Sequence, residues 1–541
     1  MDHKTELLLP AGSLERLKVA VLYGADAIYM GTPDLSLRTR SVLTLEDVRE
    51  GIAFAHAQGK KVYLTLNLFS HNRDLPKLPA FIDTIRDIRP DGVIVADIGV
   101  FDLVREHLPA IEIHISTQAN VCSWLSVQAW QKKGASLVVL AREVSFEELK
   151  EIRERCPDIK LEVFAHGAMC MTYSGRCLLS NFLAERGANQ GNCANSCRWH
   201  YKLHVRRKDG SLHEVEVTEE NKDVFAFFLQ EEQRPDDFLE IQEDERGSYI
   251  LNSKDLCLMP VLDQYLALGV DSLKIEGRNR SAYYTAVTAQ AYRRAIDAWR
   301  RNPDGWSPDS YMRELRLIPN RGYTQAFHAG KLTHHAHNYE DTHTLAPWEY
   351  AGIIRQVGAD AFFMEVKNRI EQGEVLEFMA PDGGPSVLLR IYTFEDVQNR
   401  RTTAEEGINA GQKPLIRIPF AWFHEEEPAT LMARFPAFTI VRKAAVLGDE
   451  SVERLKLDRI AQAAERGEDN EAAYQQQRDK TVQGLEAAKE GKTFRAPKLG
   501  AEGCCGRGCN GCLHFWHDEK FAKAREKLRT KKQGELLSST D

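Results

Sequence analysis

Four of the chain's eleven cysteines, Cys170, Cys177, Cys193 and Cys197, stand as C-x6-C-x15-C-x3-C. Four thiols with no obligatory histidine between them suit an iron–sulfur cluster or another soft metal, because thiolate sulfur is a polarizable donor. Tetrahedral zinc is the rival, although its usual closely spaced cysteine pairs are missing and only Cys193 and Cys197 approach them. Four inert interior cysteines are the third reading. A second group, Cys504, Cys505, Cys509 and Cys512, has His514 and His517 close behind it and reads as a second metal site. Disulfide-prone clutter is the alternative there.

The first cysteine group must be held by the elements around it. It opens from a strand-like run, Leu161 to Ala165, which breaks at His166-Gly167. Seven more short apolar runs lie in the first 280 residues: Glu6 to Leu9, Ala27 to Met30, Val62 to Leu66, Gly92 to Ala96, Glu112 to Ser116, Leu137 to Leu140 and Ser272 to Ile275. Most are near-continuous apolar runs, as expected of strands covered on both faces. Helix signals fall between them. Ser13 caps a helix stopped by Gly24, Thr44 with Asp47 and Ser145 with Glu148 resemble capping boxes, and Gly134 and Gly269 are C-terminal stops. This is an α/β pattern of eight units, and it predicts a (β/α)8 barrel. An open doubly wound sheet is the alternative.

In such a barrel chemistry sits where strands end. Polar residues cluster there: Asn67, Asp97, Ser116 through Asn120 with Gln118 between, Arg142-Glu143, His166-Gly167, and Glu276-Gly277-Arg278. The cysteine segment leaves from the seventh strand and would roof the mouth. Arg142, Glu276, Arg278 and His166 are the catalytic candidates. Arg142, Arg176, Arg198 and Arg278 could hold carboxylates in bidentate geometry. Asn67, Gln118, Asn120 and Tyr173 are further substrate-binding candidates, offering amide partners and stacking surface. Ordinary loop solvation or surface ion pairing is the plainer reading of any one of them.

The barrel is expected over 1–335, with a cysteine-rich and acidic insertion at 167–255. The insertion starts basic, turns acidic from Glu214 to Arg246 as a solvated flap, and returns at Cys257, an alternative fourth ligand to Cys197. Short alternating runs with turns then predict a small β-barrel domain over 336–447. Residues 448–498 read as a charged helical spacer, and 499–541 as a Cys-rich tail ending in a basic helix suited to phosphate backbones. With 541 residues, 43% hydrophobic and 28% charged, the chain reads as globular. It has no apolar run long enough for a membrane span and no signal peptide, so a cytoplasmic location is expected. A net charge of −8 gives no global attraction to nucleic acid, so RNA contact would need local basic patches.

The segment HGAMCMTYSGRCLLSNF, from His166, resembles the signature of the collagenase-like peptidase family U32. LLLPAGSLERLKVAVLYGADAIYMG, ISTQAN, NQGNCANSCRWHY, YILNSKDL and SLKIEGRNRSAYYTA agree with it, and the resemblance is nearest to the family's tRNA-hydroxylating branch. That resemblance implies a 4Fe-4S cluster on Cys170, Cys177, Cys193 and either Cys197 or Cys257. It implies tRNA as the partner, prephenate, a small dicarboxylate, as co-substrate, and 5-hydroxyuridine at the wobble position as product. The family's name suggests a peptidase instead, but the chain has neither H-E-x-x-H nor G-x-S-x-G. A non-catalytic cluster protein that binds RNA is the third possibility.

Overall fold

The computed structural model describes residues 4–31, 43–169, 253–330 and 348–444, apart from a few short internal breaks, and the backbone of five short strands between 204 and 249. The barrel strands are β1 (Glu6–Ala11), β2 (Ala27–Gly31), β3 (Lys61–Leu66), β4 (Gly92–Val95), β5 (Glu112–Ile115), β6 (Leu137–Val139), β7 (Lys160–Ala168) and β8 (Ser272–Ile275). All eight pair in parallel in chain order, and β8 pairs with both β1 and β7, so the sheet closes. Among the described residues the helices that follow these strands are α1 (Leu14–Leu22), α2 (Leu45–His56), α3 (Leu78–Ile88), α4 (Ile98–His107), α5 (Trp124–Lys133), α6 (Phe146–Arg155), α7 (Leu262–Ala267) and α8 (Ala282–Arg301). Closure settles the barrel against the open sheet. The caps follow from local chemistry: Ser13 accepts from Arg16 N–H, Thr44/Asp47 and Ser145/Glu148 form complete capping boxes, and Gly134 ends α5 in the left-handed region.

Alternate residues of each strand point into the barrel, and many of these are polar. Lys274 Nζ and Ser272 Oγ each donate to Glu162 at 2.8 Å, with Glu162 fully buried. Tyr63 donates to Glu6 at 2.9 Å. Burial and the neighbouring Glu162 charge push the Glu6 carboxyl up to about 7. Lys274 Nζ also lies 4.4 Å from the centroid of the Tyr29 ring. The outward-facing residues of the same strands pack under the helices in one large core.

The C-terminal part is an eight-stranded antiparallel sheet, from Trp348–Val357 to Ile440–Ala444, curled around its own aromatic core of Phe362, Phe378, Phe420, Phe423 and Phe435. The expected small β-barrel is corrected to this curled sheet: among the described residues its end strands, Val387–Arg390 and Arg401–Thr402, do not pair. A barrel requires its two end strands to meet in register, and these two stand at opposite ends of the pairing order. The sheet is fastened to the first domain. Tyr23 donates to the Met379 carbonyl at 2.8 Å and accepts from Ile440 N–H at 2.9 Å. Buried Arg442 holds Glu377 of the sheet and Glu314 of the helix Asp309–Arg316.

The acidic stretch expected as a solvated flap carries strands. Phe227–Gln230 pairs antiparallel with Phe238–Asp244, which pairs with Gly247–Tyr249. Apolar runs inside the acidic stretch, Phe227-Phe228-Leu229 and Phe238-Leu239, supply residues that favour strands. Among the described residues no helix is long and apolar enough to cross a membrane.

Candidate active site at the barrel mouth

The C-terminal ends of the strands bring the polar residues together on two walls. On one wall, from β6, β7 and β8, the Arg142 guanidinium lies flat on the Phe164 ring at 3.7 Å and 3.8 Å from Glu276. Arg278, only 7% exposed, donates to Thr65 Oγ1 at 3.0 Å. Tyr29 stands between them, its hydroxyl 3.4 Å from Glu276. The loop after β8 can hold Arg278 there because Gly12 lets β1's loop approach closely: a Cβ on Gly12 would lie 2.0 Å from the Arg278 carbonyl oxygen. Arg16 donates to that same carbonyl at 2.7 Å.

The other wall comes from β3, β5 and β6. Asn67 Nδ2 reaches Ser116 Oγ at 3.5 Å, and Ser116 Oγ also accepts from Gln118 N–H. Asn120 sits in the left-handed region, φ 52°, which asparagine tolerates better than most residues. Ala141 N–H donates to the Val121 carbonyl, tying the loop after β6 to the loop after β5. On this wall Asn67 Oδ1, Gln118 Oε1, Asn120 Oδ1 and Glu143 Oε2 are buried without a hydrogen-bond partner. Burial also raises the Glu143 carboxyl above the usual range. Such unmet acceptors are rare in folded interiors and mark a place where a ligand completes the network. Glu143 was named from sequence only with Arg142 among the strand-end polar residues, and not as a catalytic or binding candidate.

Two candidates stand elsewhere. A register shift between Lys274 and Ile275 turns His166 out of the inward alternation of β7. His166 is packed among Tyr284, Tyr292 and Tyr323, and burial lowers it to about 4, so it is neutral there. Cys257 packs on Tyr292 and Met312, its Sγ 3.8 Å from the Tyr292 hydroxyl, and burial pushes the thiol up to about 11. Cys170, Tyr173, Arg176, Cys177, Cys193, Cys197, Arg198, Cys504, Cys505, Cys509 and Cys512 lie outside the described residues.

The entry to the cysteine segment is nevertheless defined. β7 ends at Ala168, and buried Met169 precedes Cys170 directly. The returning strand, Asp255–Cys257, pairs antiparallel with the end of β7, Asp255 opposite Ala168. Arg280 and Arg321 both bind the buried Asp255 carboxylate. The segment therefore leaves and returns at one point on the mouth. Gly167 makes the exit possible: its φ is 118°, and a Cβ would lie 2.6 Å from the Glu276 carbonyl oxygen. Gly167→Ala is expected to lose about 1–3 kcal/mol in chemical denaturation, through left-handed strain and this backbone clash. Wild-type stability of that variant would show that the exit turn tolerates a side chain.

Fold and geometry together define a (β/α)8-barrel protein that gathers arginines and buried acceptor oxygens at the C-terminal ends of its strands. Residues 12–338 match the model of Peptidase family U32, and the chain belongs to that family. It is 38% identical over 458 residues to tRNA hydroxylation protein P of Escherichia coli (strain K12), covering 81% of this chain and 98% of that protein. The tRNA hydroxylation protein P of Haemophilus influenzae is 38% identical over 450 residues, covering 77% and 94%. The 23S rRNA 5-hydroxycytidine C2501 synthase of Escherichia coli (strain K12) is 31% identical over 303 residues, covering 55% of this chain and 40% of that protein.

Proposed function

We propose that this protein hydroxylates a pyrimidine nucleoside of tRNA at the barrel mouth, forming 5-hydroxyuridine at the wobble position with a small dicarboxylate such as prephenate as co-substrate. The observation that carries this reading is the similarity to tRNA hydroxylation protein P, which extends over 98% of that relative. The mouth fits the reading chemically. Two guanidiniums held rigidly, one on an aromatic face and one on a threonine hydroxyl, suit two carboxylates of one small molecule. Glu276 beside Arg142 moderates that wall's charge, so a dianion would be bound without becoming trapped.

The cluster expected in this branch would be held by Cys170, Cys177 and Cys193, with Cys197 as the fourth ligand. The donor set suits it, as four thiolates match iron in oxidation chemistry. β7 ends at Ala168, two residues before Cys170 in sequence. Cys197 is preferred over Cys257 because the latter's sulfur is committed to packing behind the barrel. When bound, the cluster would supply electron transfer or a position for the oxygen donor. The chain's own residues bind and orient the co-substrate through Arg142 and Arg278 and exclude water through Phe164 and Tyr29.

The test is mass spectrometry of tRNA nucleosides from a strain lacking the gene, complemented with wild type or variants. Complementation by wild type should restore 5-hydroxyuridine. Arg142→Ala and Arg278→Ala should each lower it by about a hundredfold, the scale of a lost buried charge contact. Their iron content should remain that of wild type. Full hydroxylation in both variants would remove these arginines from the site. An unchanged nucleoside profile in the deletion strain would remove the proposed activity.

A further inference from the structure

Four of the unmet polar atoms in the loops after β3, β5 and β6 are oxygens. Asn67 Oδ1, Gln118 Oε1, Asn120 Oδ1 and Glu143 Oε2 are four oxygens from three loops, all buried without a partner. Asn67 and Gln118 are 9% and 7% exposed, so solvent does not freely satisfy them. Asn67 Nδ2 lies 3.5 Å from Ser116 Oγ, and Oδ1 is the atom left without a partner. A buried acceptor left empty costs roughly 1–3 kcal/mol, so four together select a ligand that brings donors. Arg142 and Arg278, from the loops after β6 and β8, can only donate, with the Glu276 carboxylate beside Arg142. The mouth is therefore divided into a subsite for anions and a subsite for N–H and O–H groups.

We infer that the acceptor wall is the subsite for the target nucleoside and reads two of its donors, the uracil N3–H and the ribose 2′-OH. The inference rests on the hydroxylase reading above and adds which edge of which base is bound. Within an RNA chain, a uridine carries only these two donors, because its other polar atoms accept. Cytosine has a lone pair at N3, which would face an acceptor there. The 2′-OH distinguishes RNA from DNA. The division also bears on the reaction: base and dicarboxylate have separate sets of partners and can be bound together.

The experiment measures binding of the full-length, anaerobically purified protein to an RNA stem–loop with one unpaired uridine in the loop. The same loop is made with 3-methyluridine and with 2′-deoxyuridine at that position. Each change should weaken wild-type binding by about tenfold or more, the scale of one hydrogen bond to a buried group. Asn67→Leu and Gln118→Leu should bind the uridine loop more weakly and lose the preference over 3-methyluridine. Asn67→Asp keeps an acceptor oxygen and should keep the preference, which guards against a variant that simply misfolds. Equal wild-type binding to all three loops would overturn the inference, as would an undiminished N3 preference in both leucine variants. Binding and product are read separately. Discrimination among the loops without any hydroxylated nucleoside would leave the wall standing and remove the hydroxylase reading. Hydroxylation with no discrimination would do the reverse.

Discussion

Replacing Cys170, Cys177 or Cys193 by alanine is expected to yield a folded barrel with no stably bound iron and no detectable hydroxylated nucleoside. The loss should be near complete, because a site short of one thiolate exposes an iron to solvent and exchange. The barrel should survive, because its eight strands pair into a closed ladder among the described residues. Iron and acid-labile sulfide would be measured in anaerobically purified variants, with circular dichroism as the control for folding. Wild-type iron in all three variants would refute the cluster assignment. Cys197→Ala should behave like these three. Cys257→Ala should keep its iron and lose only packing against Tyr292 and Met312.

Arg442→Met is expected to cost about 3–5 kcal/mol of stability, the scale of removing one partner from a buried ion pair. Arg442 is 1% exposed and makes a two-point contact with Glu377, itself 1% exposed, at 3.0 and 2.9 Å. The same guanidinium reaches Glu314 at 3.2 Å, across the boundary between sheet and barrel. Its removal leaves two carboxylates near one another inside the protein without the charge that balances them. The Arg442→Met, Glu377→Met double variant should recover part of the loss, because it also removes the buried carboxylate. Thermal and urea unfolding would check both. A single variant within 1 kcal/mol of wild type would mean that solvent reaches this pair, since only exposed pairs cost about that little.

Much of the barrel was legible in local chemistry. The eight strand runs fall within a few residues of the observed strands, and Ser272–Ile275 coincides with its strand. The capping boxes at Thr44 and Ser145 and the stop at Gly134 are where residue types place them. These features depend on neighbours three or four positions away, so a linear reading reaches them. The ends of the strands could be named too, which is why Asn67, Gln118, Asn120, Arg142, Glu276 and Arg278 were identified as a set.

Tertiary structure decided what the set does. Closure required β8 to meet β1, a contact across more than two hundred and fifty residues that no periodicity encodes. Closure also assigned the walls, placing Arg142 against Phe164 and Glu276 while leaving the Asn67, Gln118 and Asn120 oxygens unmet. One register shift in the β7–β8 ladder moved His166 from the mouth into a tyrosine cluster. The C-terminal strands were recognisable singly, yet their curl into a sheet fastened through Arg442 depends on pairing order. Sequence thus determined the elements and the residue types at their ends. Partners, polarity and burial were decided by long-range pairing, because the energy of a polar group depends on what stands across from it.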